Sequence, residues 1–168
     1  MNITAGKYKG QKVTAPDETI TRPTLSKVRM AVFNTLQALI DFDGASFLDM
    51  FAGSGIMGLE ALSRGFERVV AIEKNPKVYN ILLNNYKALK VKPNVIKGDS
   101  LKVLPQEHFD VIYIDPPYYS GVYEQALEVL PDCNIVILEH TTDVNFSGYE
   151  VIKQKKYGDK TLTYLKKV

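Results

Sequence analysis

Two short stretches of this chain hold residue types that could do chemistry. The first is Asp115-Pro116-Pro117-Tyr118, which closes the apolar run Phe109-Asp110-Val111-Ile112-Tyr113-Ile114. Two successive prolines remove two backbone donors and fix φ, so the segment is stiff and offers the Asp115 carboxylate and the Pro116 carbonyl as paired acceptors. Such a pair suits a planar NH₂ group. Accepting both of its hydrogens aims the nitrogen lone pair at an electrophile and stabilises the positive charge that develops on attack. Tyr118 could stack on the ring carrying the amine, provided the base lies outside its helix. The bland alternative is a rigid turn after a buried strand, with Tyr118 as an aromatic at the edge of the core.

The second stretch is Asp49-Met50-Phe51-Ala52-Gly53-Ser54-Gly55-Ile56-Met57-Gly58. Its G-x-G-x-x-G falls between a strand pattern and a helix pattern, the context such a match requires. Glycines there let the backbone turn sharply and approach a ligand, and the helix N-terminus supplies free N–H groups for an anion. Glu73, at the end of the next strand pattern, could accept hydrogen bonds from both hydroxyls of a ribose. Together they imply an adenosine-type cofactor; tight strand-to-helix packing is the other explanation of the glycines. Asp49 favours S-adenosylmethionine over a dinucleotide, because a carboxylate suits the ammonium of a methionine moiety and is poorly placed beside a pyrophosphate. Asp99, in Gly98-Asp99-Ser100, could accept from an adenine amine or could cap a helix.

These residues need a scaffold that brings strand ends together. Apolar runs at residues 46–51, 69–73, 94–97, 109–115 and 135–139 alternate with helical patterns at 56–64, 76–90 and 123–130. Near-continuous apolar strands separated by helices predict a parallel sheet covered on both faces. Two further strands, 149–155 and 161–166, flank the turn Tyr157-Gly158-Asp159-Lys160 and predict an antiparallel hairpin at the end. Before the sheet, Thr24 is the expected N-cap of a helix running to residue 40, and residues 2–5 and 11–15 predict a hairpin arm. The expectation is an α/β, doubly wound Rossmann-like sheet, mostly parallel with a C-terminal antiparallel hairpin and an N-terminal β-hairpin arm. Residues 1–23 form the basic arm and 24–168 the remaining domain.

The chain has 168 residues, ordinary globular composition and a formal charge of +2, which predicts a single domain and excludes disorder or a coiled coil. That charge is unevenly spread: residues 1–30 carry +4 and residues 151–168 carry +5, leaving −7 between them. Cys133 is the only cysteine, so an intramolecular disulfide and a thiolate zinc cluster are excluded, and a reducing, cytoplasmic location is expected. No segment has the length of apolar residues a membrane helix needs. His108 and His140 lack the neighbours of a metal site and read as a loop and a strand-end residue. Lys155 and Lys156 could meet phosphates or simply solvate a face; a monomer without metal is expected.

Asp49 to Gly58, Glu73, Gly98-Asp99 and Asp115 to Tyr118 resemble the class I S-adenosylmethionine-dependent methyltransferases that modify exocyclic or amide nitrogens. Ile3-Thr4-Ala5-Gly6, Gly10-Gln11-Lys12, Pro16, Arg22-Pro23-Thr24, Val28-Arg29 and Phe33-Asn34 resemble the opening of the bacterial small-subunit rRNA guanine-N2 methyltransferase family. The Tyr157-Gly158-Asp159 turn also looks similar, whereas Lys160 and the lysine-ended tail depart from that pattern. The resemblance implies methyl transfer to the N2 amine of one guanine of 16S rRNA in a small ribosomal subunit. It also implies S-adenosylmethionine held by Asp49, Phe51, Ala52, Gly53, Ser54, Gly55, Glu73, Lys74, Asp99 and Ser100. Asp115, Pro116, Pro117 and Tyr118 would take the amine, while Arg22, Thr24 and Arg29 would meet RNA or order the site; Lys155 and Lys156 are candidate RNA contacts on their charge alone. Competing readings are a methyltransferase of adenine or another amine or amide, a non-catalytic RNA-binding assembly module, and a dinucleotide-dependent oxidoreductase.

Overall fold

A computed structural model describes residues 1–17, 25–117 and 121–168. Among these residues, seven strands form one sheet: β1 Ser46–Asp49, β2 Arg68–Glu73, β3 Val95–Lys97, β4 Phe109–Ile114, β5 Cys133–His140, β6 Tyr149–Tyr157 and β7 Lys160–Lys167. Their order is β3-β2-β1-β4-β5-β7-β6. β1 to β5 pair in parallel; β7 runs antiparallel between β5 and β6. The order reverses between β1 and β4, the switch point at which doubly wound sheets open a crevice beyond their strand ends.

Alternation along the strands builds two cores. Phe47, Val69, Ala71, Val111, Tyr113, Ile135 and Ile137 face one layer, with α1 Ser26–Leu39, α2 Ile56–Ser63 and α3 Pro76–Ala88. Leu48, Val70, Ile72, Ile112, Ile114, Val136 and Leu138 face the other, covered by α5 Tyr123–Glu128 and the one-turn α4 Ser100–Val103. Because β-strand side chains alternate sides, each apolar strand feeds both cores, and this explains why these strands read as continuous apolar runs.

Most predicted boundaries shift by a residue or two, β6 and β7 take in Tyr157 and Lys160 of the predicted turn, the one-turn α4 is additional, and three further differences stand out. Thr24 lies outside the described residues, and the N-cap of α1 is Leu25, extended at φ −63°, ψ 142° and making no side-chain cap bond. β5 starts at Cys133, opposite Phe109, ahead of its apolar run. The arm is a hairpin in outline only: Asn2 and Lys12 form one bridge, supported by Ile3 N donating to Gln11 O at 3.0 Å and Val13 N to Met1 O at 2.7 Å.

The arm is fixed to α2. Gly6 sits at φ +84°, and a Cβ there would fall 1.8 Å from the Ser63 carbonyl oxygen, so no other residue fits. Lys7 N donates to that same carbonyl at 2.8 Å. Glu60, wholly buried in α2, accepts from Thr4 N at 3.0 Å, Thr4 Oγ1 at 2.9 Å and Ala5 N at 3.3 Å, and pairs with Arg29 Nε at 3.0 Å and Arg64 Nε at 3.2 Å. Ile3 and Val13 enter the same core as α1 and α2.

Candidate active site

The loop after β1 turns on two left-handed glycines, Gly53 at φ +56° and Gly55 at φ +87°. They differ in purpose. A Cβ on Gly55 would strike Leu82 Cδ1 at 2.3 Å, whereas a Cβ on Gly53 would meet nothing within 4 Å. Gly55 therefore lets α2 lie against α3, and Gly53 leaves open space beside the backbone. Gly58 is a packing residue as well, since its Cβ would fall 2.8 Å from Val69 and 2.9 Å from the Tyr86 hydroxyl. Loop shape is locked from both sides: Gly53 N donates to Glu73 Oε1 at 2.9 Å, and Asn85 Nδ2 of α3 donates to Ser54 O at 2.8 Å. Phe51 is half-buried and Ala52 buried, with Ala52 N donating to Ile72 O at 2.9 Å.

Asp49 ends β1 with its carboxyl sealed from solvent, and its Oδ1 has no hydrogen-bond partner among the described residues. Burial, reinforced by the Glu73 and Glu139 charges and opposed by the Phe51 backbone N–H, pushes this carboxyl up to about 7. An unpartnered buried carboxylate is costly unless a donor or cation meets it. Glu73, at the end of β2, orders the neighbouring backbone, with Oε2 accepting from Asn75 N at 2.9 Å. Asp99 is the N-cap of α4: its Oδ1 accepts from Leu101 N at 3.0 Å, and Oδ2 stands 4.0 Å from the exposed Lys74 ammonium. Ser100 Oγ is buried and has no partner among the described residues. An orphaned acceptor, a void beside Gly53 and a row of carboxylates at the ends of β1, β2 and β3 fit a ligand bearing an ammonium and a ribose.

Beside this row, β4 delivers Asp115 and Pro116. Asp49 is opposite Tyr113 in the ladder, so Asp115 lies two residues beyond it at the same edge. The Asp115 side chain is 18% exposed; Pro116 is buried and Pro117 exposed. Burial and the adjacent Glu139 push the Asp115 carboxyl well up from its usual range, and Lys160 pulls it down. Tyr118 lies outside the described residues, as do Arg22 and Thr24. Arg29 corrects one expectation. At 1% exposure, held by Glu60 and donating from Nη2 to Asn2 O at 2.8 Å, it ties the arm to α1 and has no surface from which to meet RNA. Lys155 and Lys156 stand exposed on β6, level across β7 with Glu139 and His140, and so lie at the same sheet edge as the carboxylates, two strands from Glu139.

The sequence reading passed over Glu139, Glu60 and Asn85. Glu139, 2% exposed, accepts from Tyr113 Oη and from Lys160 Nζ. A carboxylate closing the apolar run Ile135-Val136-Ile137-Leu138 was its available signal. Asn85 also accepts from Thr14 N at 2.9 Å, joining the arm to the glycine loop.

The model of the family described as Conserved hypothetical protein 95 matches residues 1–166. The chain belongs to that family. Among its relatives is ribosomal RNA small subunit methyltransferase D of Haemophilus influenzae, 37% identical over 141 residues, covering 80% of this chain and 72% of the relative. The protein of that name from Escherichia coli strain K12 is 35% identical, covering 79% and 67%. A solved Escherichia coli structure described as a methyltransferase, yhhF, superposes at a TM-score of 0.86 with 26% identity, covering 99% of this chain and 97% of its own. The family fold is therefore the Rossmann-like methyltransferase sheet, and the row of carboxylates lies where such folds hold their cofactor. Among the described residues no group of three or more His, Cys, Asp or Glu is arranged to hold a metal, and no helix is long and apolar enough to cross a membrane.

Proposed function

We propose that this protein transfers a methyl group from S-adenosylmethionine to the exocyclic N2 amine of a guanine in 16S rRNA of the small ribosomal subunit. The observation that carries the chemistry is the position of Asp115 and Pro116 at the end of β4, one strand from the orphaned Asp49 carboxylate. The relatives named as small-subunit rRNA methyltransferases support the substrate class. When bound, S-adenosylmethionine supplies an electrophilic methyl group. Asp49 answers its ammonium, Glu73 its ribose hydroxyls, and Asp99 with Ser100 its adenine end; Gly53 gives it room. Phe51, Ala52, Ser54, Gly55 and Lys74 shape the wall of that site.

A guanine amine is barely basic because its lone pair is delocalised into the ring, so positioning and exclusion of water supply most of the acceleration. The Asp115 carboxylate and Pro116 carbonyl accept the two amine hydrogens and turn the lone pair outward. Pro117 keeps the acceptors rigid, and Tyr118 stacks on the base. Buried among other carboxylates, ionised Asp115 is a stronger base than an exposed aspartate and stabilises the charge that grows on nitrogen. Arg22, Thr24, Lys155 and Lys156 meet the RNA backbone, and the protein acts as a cytoplasmic monomer.

Labelled S-adenosylmethionine, offered with unmethylated small subunits, bare 16S rRNA and DNA, tests the reading once the modified nucleotide is mapped. Label on a single guanine N2 is expected. Label on adenine, on DNA or on protein overturns it.

A further inference from the structure

Behind the amine site lies a set of charges that the transfer step, as derived above, does not use. Lys160 is the first residue of β7, following Gly158 at φ +62° in the tight turn from β6. Its ammonium donates to Glu139 Oε1 at 2.6 Å and stands 3.7 Å from Asp115 Oδ1. Both carboxylates sit deep, with side chains 1% and 18% exposed, and Lys160 itself is only 15% exposed. Tyr113 Oη donates to the second Glu139 oxygen, and the Asp49 and Asp115 charges also act on that hydroxyl. Among the described residues, the groups facing Asp115 are Asp49 from β1, Tyr113 from β4, Glu139 from β5, which also shares a side-chain hydrogen bond with it, and Lys160 from β7.

Like-charged carboxylates this close cannot both ionise cheaply in a buried site. Without a cation one of them would take a proton, and a protonated Asp115 could no longer accept two hydrogens from an amine. A lysine seated against both carboxylates opposes that protonation. The geometry points to Lys160 as a positioning residue for methyl transfer: from the β6–β7 turn its ammonium, against both Asp115 and Glu139, opposes the protonation of Asp115 and so favours the form whose lone pairs accept from the target amine. Its role rests on the amine-site reading above. Lys160 touches neither cofactor nor base in this account and acts through Asp115 alone.

The test measures kcat/KM against pH, from about pH 5.5 to 9, for wild type, Lys160→Met and Lys160→Met/Glu139→Gln with labelled cofactor and unmethylated small subunits. Lys160→Met should move the acid limb upward by about one pH unit, a loss of about tenfold on that limb that closes at high pH, with cofactor affinity unchanged. The double variant should bring the limb back towards wild type, because one lost cation is balanced by one lost anion. In the cofactor-free proteins, the labelled Asp115 carboxyl carbon followed by NMR should titrate in the same order. An unmoved limb and an unmoved Asp115 titration in Lys160→Met overturn the inference. Should Lys160→Met fail to fold, the double variant decides: a limb near wild type supports the inference, and a displaced one overturns it. A wild type that labels no ribosomal RNA would remove the amine-site reading instead, and the two failures are thereby told apart.

Discussion

Asp115 is the residue whose loss should be felt only in the chemistry. Asp115→Asn keeps the size and removes the charge, and we expect methyl transfer to fall by about 100-fold or more while calorimetric binding of S-adenosylmethionine is retained; a variant with full turnover would end its assigned role. Asp49 makes a different prediction because its carboxyl stands at about 7 in the ligand-free protein. A raised carboxyl holds its proton in the folded state after the unfolded chain has released it, so the ligand-free fold should lose stability as pH rises from about 4 towards 7. An ammonium partner favours the ionised form, so cofactor binding below pH 7 should expel a proton and tighten with rising pH. Calorimetry in buffers of different ionisation heat measures that proton, and Asp49→Asn should abolish it. Both aspartates were legible because each belongs to a short local motif. Glu139 and Lys160 were not, since their contact spans 21 residues and joins two strands whose adjacency no spacing rule announces.

At the scale of elements, α2 does more than begin at the glycine loop. Its middle carries Glu60, which binds the arm across 56 residues of sequence and gathers Arg29 and Arg64 into one buried cluster. Removing one partner of such a cluster leaves uncompensated charge inside, at a cost of about 3 to 5 kcal/mol. Glu60→Ala should therefore lower the melting temperature and free the arm to proteolysis. Gly6→Ala should release the arm at smaller cost to the core, because its methyl collides with Ser63, at both its carbonyl and its hydroxyl, and with no other residue; limited proteolysis that leaves the arm intact would contradict this. The alternation of strands and helices was readable from periodicity, and so was the final hairpin. The arm's attachment was hidden, since a glutamate within Ile56-Met57-Gly58-Leu59-Glu60-Ala61 reads as an exposed helix position until Arg29 is placed beside it.

For the whole molecule, the uneven charge acquires a geometry. The acidic middle of the chain supplies the carboxylates at the ends of β1 to β5, and the last basic stretch forms β6 and β7, where Lys153, Lys155 and Lys156 project from an exposed strand. Replacing Lys155 and Lys156 by Gln should weaken RNA binding and make its logarithmic salt dependence shallower by about one to two units, measured by filter binding. Sequence arithmetic located these charges along the chain, but not that β7 turns inward. Insertion of β7 between β5 and β6 leaves β6 with one edge unpaired among the described residues, the kind of edge on which another molecule's strand can dock, and lysines are among the residues that discourage such docking. The same lysines that would greet an RNA backbone thus guard this protein against itself, and their glutamine variants should form sheet-paired aggregates at concentrations where the native chain stays dispersed.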